Sequence, residues 1–330
     1  MSFGATSPPS PACGIRHDEI RRAITPLPGN QPRDHFKALN IPGDCDGLTF
    51  LAALGRMAGN VPAAEWEAEF ARGRVVNWNQ ETVPATQIVR AGQHYQHLFP
   101  QVTEPEVNGA IEILHEDEAL IVVNKPAPLP MHAGGRFFRN TLQHILNMAY
   151  QPEQPRPAHR LDANTSGLVL AGRTRAAVAR LQQQFARGQV EKTYLARVRG
   201  DLPGDEFRCD APISAGAAGG CARTVDGQNG LAACTEFRVL QRFADGSTLL
   251  EARPLTGRTN QIRVHLWHMG FPVDGDPMYL PGRQLGRTQT LAVGDPPLCL
   301  HAARLRFLHP GSLEPVEFKS EPDWLPDGRG

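Results

Sequence analysis

The chain has 330 residues, 41% of them hydrophobic and 21% charged, with 34 Lys+Arg balancing 34 Asp+Glu. That length suggests about two domains with a sizeable core, which excludes wholesale disorder. No apolar run approaches the roughly 18 residues of a membrane span, and six cysteines without a C-x-x-C pair read as reduced thiols of a cytoplasmic protein.

Residues 1–35 are Pro-rich, have no apolar segment resembling a secretion signal, and are expected to be a disordered tail. Residues 48–57 predict a short helix. Residues 63–72 predict a second, stopped by Gly73. A turn at Asn77–Gln80 and a β pattern through Ile88 and Val89 complete a small module over 36–108. Residues 109–125 predict two strands split by the charged turn His115–Glu118. A helix is expected over 140–149, capped by Asn140. The polar loop His159–Gly167 then enters an apolar strand at 168–171. An amphipathic helix over 174–187 presents Ala177, Val178, Leu181 and Phe185 on one face. Strands follow at 192–199, 234–240 and 248–253, with a Gly/Ala-rich loop at 214–231. Thr259 is expected to cap a helix reaching about Met269. Strands and helices mix without strict βαβ alternation, so the fold class expected is α+β.

Charge is unevenly distributed. Residues 1–115 carry 9 basic and 12 acidic residues, whereas 116–330 carry 25 and 22, so the second part suits an anionic partner better. Asp162 lies in a polar loop at the mouth of a buried strand, where it is either a turn residue bonding its own backbone or a positioned nucleophile. Arg263 lies between Ile262 and Leu266, either on the surface or turned inward toward a carboxylate. Tyr194 alternates into a strand as a core residue or a ring facing a site. His132, His159, His265, His268 and His301 lack metal-ligand spacing. No phosphate-binding glycine motif and no G-x-S-x-G is present. Neither a metal nor a cofactor is expected.

The order of four segments is more informative than any one of them. HRLDANTSGLVLAGRT at 159–174, EKTYLARV at 191–198, RPLTGRTNQIRVHLWHMGFPVDGDPMY at 253–279 and LHAARLRF at 300–307 together resemble the RluA-type RNA pseudouridine synthases. NKPAPLPMH at 124–132 resembles that family's opening motif. The likeness covers about 110–325. It implies a catalytic domain over 109–330 with a mixed, mostly antiparallel central sheet flanked by helices. It also implies Asp162 as nucleophile, Tyr194 as the ring stacking on the target uracil or taking its C5 proton, and Arg263 as the partner of Asp162. Arg160 matches an arginine that helps extrude the base, and His159, Thr165, Gln261, Ile262 and Val264 become expected substrate contacts. Asn260 departs from the family's usual T-H-Q, standing where histidine is usual.

Residues 48–98, with ARGRVVNWNQETV and IVRAGQHY, resemble an S4 RNA-binding module, although Glu65, Glu67 and Glu69 replace the basic residues usual on its second helix. The partner implied is rRNA or tRNA, acted on by a monomer without membrane or obligatory protein partner. Isomerising uridine means cleaving N1–C1′ and joining C5 to C1′. A carboxylate near the developing positive sugar favours cleavage, and the base must leave its stack. A non-catalytic RNA-binding protein or RNA chaperone would use Asp162 only as a loop residue. A glycosidase would need a second carboxylate flanking the bond.

Overall fold

The computed structural model describes residues 17–59, 61–200, 202, 204–216 and 222–325. Gln31–Thr103 form one compact unit, and the residues on either side of it in sequence form another. Of the expected Pro-rich tail, residues 1–16 lie outside the described residues. From His17 the expectation fails: α1 (His17–Ala23) buries Ile20 and Ala23, and with Leu27 they join the core of the larger unit. Apolar anchors in a short helix outweigh the prolines around it.

The smaller unit contains β1 (Arg33–Asn40), α2 (Phe50–Met57), α3 (Ala63–Ala71), β2 (Val75–Val76) and β3 (His94–Val102). Its sheet is antiparallel in the order β1-β3-β2. Thr49 caps α2 by accepting from the Ala52 N–H. Gly73 follows α3 at φ +68°, the left-handed conformation that ends helices. Phe50, Leu54, Trp66 and Tyr95 pack its core. Glu65 and Glu67 are exposed, but Glu69 is half-buried and accepts from Arg72, Arg74 and His97. Only two of the three helix glutamates therefore present their charge to solvent.

The larger unit is α+β. After α1 come β4 (Glu112–Glu116), β5 (Leu120–Lys125), α4 (Leu142–Ala149), β6 (Arg156–Pro157), β7 (Ser166–Gly172), α5 (Arg175–Ala186), β8 (Glu191–Arg199), β9 (Glu206–Cys209), β10 (Thr235–Arg242) and β11 (Ser247–Pro254). Then follow α6 (Gln261–His268), β12 (Tyr279–Leu280), β13 (Gln284–Leu285), β14 (Leu300–Leu308) and β15 (Pro315–Lys319). The main sheet runs β4-β5-β7-β14-β8-β11-β10-β9, with β6 beside β7 and β15 beside β14. Among the described strands every pairing is antiparallel except β7 with β14.

β5 and β7 are apolar on both faces because both faces are covered. Ile121, Val123 and Val169 pack with Ile145 and Leu146 of α4, whereas Leu120, Val122, Leu168 and Leu170 pack with Leu181 of α5. Two expected caps are displaced by one residue. Thr141, not Asn140, caps α4; Asn140 instead accepts from Gly29 N–H and donates to the Pro105 carbonyl. Asn260, not Thr259, precedes α6, and it lies in the left-handed region at φ +57°.

The parallel seam positions the site. Gly167 of β7, Ala302 of β14, Tyr194 of β8 and Ala252 of β11 form one cross-strand row. Gly167 has φ +110°, and a Cβ there would lie 2.6 Å from the Ala302 nitrogen. Glycine lets the strand bearing the 159–165 loop close on β14.

Candidate active site

Asp162 occupies the loop entering β7, and backbone contacts fix that loop. The Asp162 carbonyl accepts from Thr165 N–H, the Ala163 carbonyl from Leu129 N–H, and Asn164 bonds to the backbone of Gln289 and Leu291. Lys125 is fully buried and donates Nζ to the carbonyls of Pro126, Leu129 and Ala163. Burial pulls its ammonium down to about 7, while the Asp162 charge opposes that shift.

Arg263 points inward from the first turn of α6. Its Nη1 donates to Asp162 Oδ2 at 3.0 Å, and its Nε and Nη2 donate to Asp276 at 2.7 and 2.8 Å. Asp276 is fully buried at its side chain and also accepts from Met278 and Tyr279 N–H. Burial works against the Arg263 charge, but Asp276 and then Asp162 hold it firmly protonated. The Tyr279 ring lies 5.0 Å from the guanidinium carbon.

Tyr194 reaches the same place from β8. It packs against two hydrophobic clusters that meet at the parallel seam. Burial, reinforced by Asp162, pushes its phenol up. With Asp162 and Arg263 it lines a cleft of about 680 Å³ that also contains Arg160, Thr165, Arg187, Lys192, Arg258 and Asn260. Burial lowers the Lys192 ammonium, whose Nζ donates to the Thr256 carbonyl. A carboxylate, a ring and several cations thus converge in a cleft large enough for a nucleotide.

A family model described as RNA pseudouridylate synthase matches residues 119–268. Ribosomal large subunit pseudouridine synthase D of Nitrosomonas europaea is 33% identical over 311 residues, covering 91% of this chain and 87% of that protein. The chain belongs to the RluA-type family of RNA pseudouridine synthases. RNA pseudouridine synthase 7 of Arabidopsis thaliana is 36% identical over 208 residues, spanning 61% of this chain but 52% of the plant protein. For human pseudouridylate synthase RPUSD2, the match covers 40% of the relative. The chain thus matches about half or less of those two relatives. A solved human structure, RNA pseudouridylate synthase domain containing 1, superposes with a TM-score of 0.55 at 28% identity, covering 68% of this chain and 88% of that one.

Within this RluA-type family member the other expected site residues have separate placements. Arg160 is exposed at the cleft. The Thr165 hydroxyl is buried in the cleft wall with no hydrogen-bond partner among the described residues. His159 lines the cleft, yet its Nε2 accepts from Leu170 N–H and its ring packs on Phe185. Burial, helped by Lys192, draws it down to about 3, so it is a neutral brace for β7.

Gln261 does not offer its amide to a substrate. Its oxygen accepts from Thr256 and Arg258, and its nitrogen donates to Cys234 and Thr235. Ile262 is both core and cleft wall. Val264 is fully buried beside Ile213, Met278 and Tyr279 and is not part of the cleft lining. Successive helix positions turn by about 100°, so neighbours of Arg263 need not share its direction. Asp276 and Tyr279 carry no expected role in the sequence; their one signal there is their place in the GDPMY segment.

Among the described residues one His/Asp group converges: His115, Asp117 and His309. His115 and His309 Nε2 lie 2.8 and 2.9 Å from Asp117 Oδ2. The His309 Nδ1 accepts from Gly311 and Ser312 N–H, so its proton is on Nε2 and donates to Asp117. Burial opposes the Asp117 charge, but His115 and the Ala119 and Leu120 N–H groups outweigh it and hold the carboxyl low. These contacts describe a clasp between two turns.

Proposed function

We propose that this chain isomerises uridine to pseudouridine in structured RNA, with Asp162 as nucleophile. The supporting observation is the pairing of Asp162 with a buried Arg263 whose other donors are held by Asp276. A positioned carboxylate stabilises positive character at C1′ as the N1–C1′ bond breaks, or captures it covalently. The detached uracil turns, C5 joins C1′, the C5 proton leaves and N1 gains one. Atoms balance without redox change or an external leaving group.

Tyr194 is assigned the stacking role. A phenol pushed up in pKa is a scarce phenolate, which disfavours it as the C5 base. Arg160, Arg187 and Arg258 at the cleft suit the RNA backbone, and the Thr165 hydroxyl suits a polar group of the flipped nucleotide. Two relatives matched over 84% or more of this chain, from N. europaea and Xanthomonas campestris, are named for the ribosomal large subunit. Ribosomal RNA is therefore our first substrate. We further propose that 31–103 is an S4-like module and that the protein acts in the cytoplasm as a single chain.

The test is tritium release from RNA labelled at uracil C5, using unmodified rRNA and tRNA separately, beside Asp162→Asn. Release from rRNA that vanishes in the variant is the expected result. Equal release by the variant rejects Asp162 as nucleophile. RNA binding without release in the parent favours the non-catalytic reading.

A further inference from the structure

Asn260 precedes α6 but does not cap it: no side-chain hydrogen bond reaches the helix N–H groups. Asn is among the strongest N-capping residues when its side-chain oxygen turns to those groups. Here the backbone is left-handed (φ +57°, ψ 18°), a region that Asn and His enter more readily than most residues. The side chain is thereby directed elsewhere.

The Asn260 amide lies among three polar groups, with Arg263 Nη1 3.4 Å from the end that faces Asp162. One end is 2.8 Å from Asp162 Oδ2 and 3.2 Å from Oδ1; the other is 3.0 Å from the Tyr279 hydroxyl. A carboxylate offers only acceptors when ionised. Turning the amide oxygen toward it would set two acceptors in contact, whereas turning Nδ2 toward it makes a charge-assisted hydrogen bond. The network therefore assigns Nδ2 to Asp162 and Oδ1 to the Tyr279 hydroxyl. That hydroxyl is held in place, accepting from Arg223 N–H at 3.0 Å on a side chain only 1% exposed, and its one proton is shared between Asn260 Oδ1 and the Arg223 carbonyl, also 3.0 Å away.

We propose that Asn260 is a positioning residue that donates to the Asp162 carboxylate and, with Arg263, sets its orientation. This rests on the reading of Asp162 as nucleophile. Both Arg263 Nη1 and Asn260 Nδ2 approach Oδ2 at 3.0 and 2.8 Å, so Oδ1 is the less occupied oxygen and the one available to C1′. The position needs a left-handed backbone and an N–H donor together. Histidine, usual in this family's motif, meets both demands.

The experiment compares Asn260→Asp, Asn260→Gly and Asn260→His with the parent and Asp162→Asn, measuring kcat and KM for C5 tritium release, filter-binding Kd and melting temperature. Aspartate keeps the shape without a donor under most conditions, glycine removes the donor without backbone strain, and histidine restores it. Loss of one hydrogen bond to a charged group predicts a kcat about 30- to 100-fold lower for Asp and Gly. KM and Kd should stay within about threefold and Asn260→His within about fivefold of the parent. If Asn260→Gly turns over like the parent, or if histidine is as slow as glycine, the proposed donor role fails while Asp162 stands. If Asp162→Asn turns over normally, the nucleophile reading fails and takes this proposal with it. Should Asn260→Asp fail to fold, the glycine–histidine comparison decides.

Discussion

Arg263 meets Asp162 with a single nitrogen while giving Asp276 a two-point grip. The asymmetry separates two jobs. The fully buried Asp276 fixes the guanidinium plane, and the remaining nitrogen reaches the more accessible Asp162, whose side chain is 23% exposed. A bidentate carboxylate–guanidinium pair has defined geometry that lysine cannot reproduce.

Asp276→Asn keeps the shape but leaves the buried Arg263 charge with Asp162 alone. Removing one partner of a buried ion pair costs about 3–5 kcal/mol. The amide oxygen can keep one hydrogen bond, so we expect the lower end of that range in urea unfolding and at least a ~10-fold loss of turnover. Unchanged stability and rate would show that Asp276 does not anchor Arg263.

Gly167→Ala tests the seam that carries the loop bearing Asp162. The added Cβ would face the Ala302 backbone at under 3 Å, at a φ that alanine rarely adopts. Neither backbone strand can yield as a flexible side chain would. A loss of about 3 kcal/mol or more, or failure to fold, is expected. Wild-type unfolding behaviour would mean the two strands can separate without cost.

Much of this architecture was legible because local and tertiary preferences agree. The 174–187 pattern yields α5 (Arg175–Ala186), and the apolar run before Lys125 yields β5. The motif order also marked Asp162, Tyr194 and Arg263, which the fold gathers from a loop, a strand and a helix. What failed depended on distant partners. Asn140 and Thr141 are both good caps, and only the bond from Gly29, 111 positions away, shows why Asn140 is diverted. Gln261 and Val264 flank Arg263 in sequence, but one spends its amide on the protein and the other faces core. The burial of Asp276 arises from the turn after α6, which no periodicity marks.

Acid sensitivity should arise in part from two buried histidines. Burial lowers His301 to about 4 and His159 to about 3, against roughly 6.5 when unfolded. Between about pH 4 and 6.5 for His301, the unfolded chain binds a proton that the folded chain refuses. Stability therefore rises with pH through that window, is fully present above it and is lost as pH falls toward 4. Each site contributes a slope of up to about 1.4 kcal/mol per pH unit. Urea midpoints at pH 7 and 5 should separate less in His301→Gln than in the parent. An identical pH slope would remove His301 from this account.

Thr165 offers a test in which stability and activity move apart. Its hydroxyl is buried in the cleft wall without a partner among the described residues. An unsatisfied buried hydroxyl is costly, so Thr165→Val, which preserves shape, should leave stability unchanged or raise it by about 1 kcal/mol. If the hydroxyl serves the flipped nucleotide, the same change should lower kcat/KM about tenfold, because the substrate group then loses its hydrogen bond. Thermal unfolding and tritium release measured on one preparation decide the matter. A stable variant with full kcat/KM would place Thr165 in the wall of the cleft and outside substrate recognition, whereas a stable but slower one would identify the hydroxyl as a contact reserved for RNA.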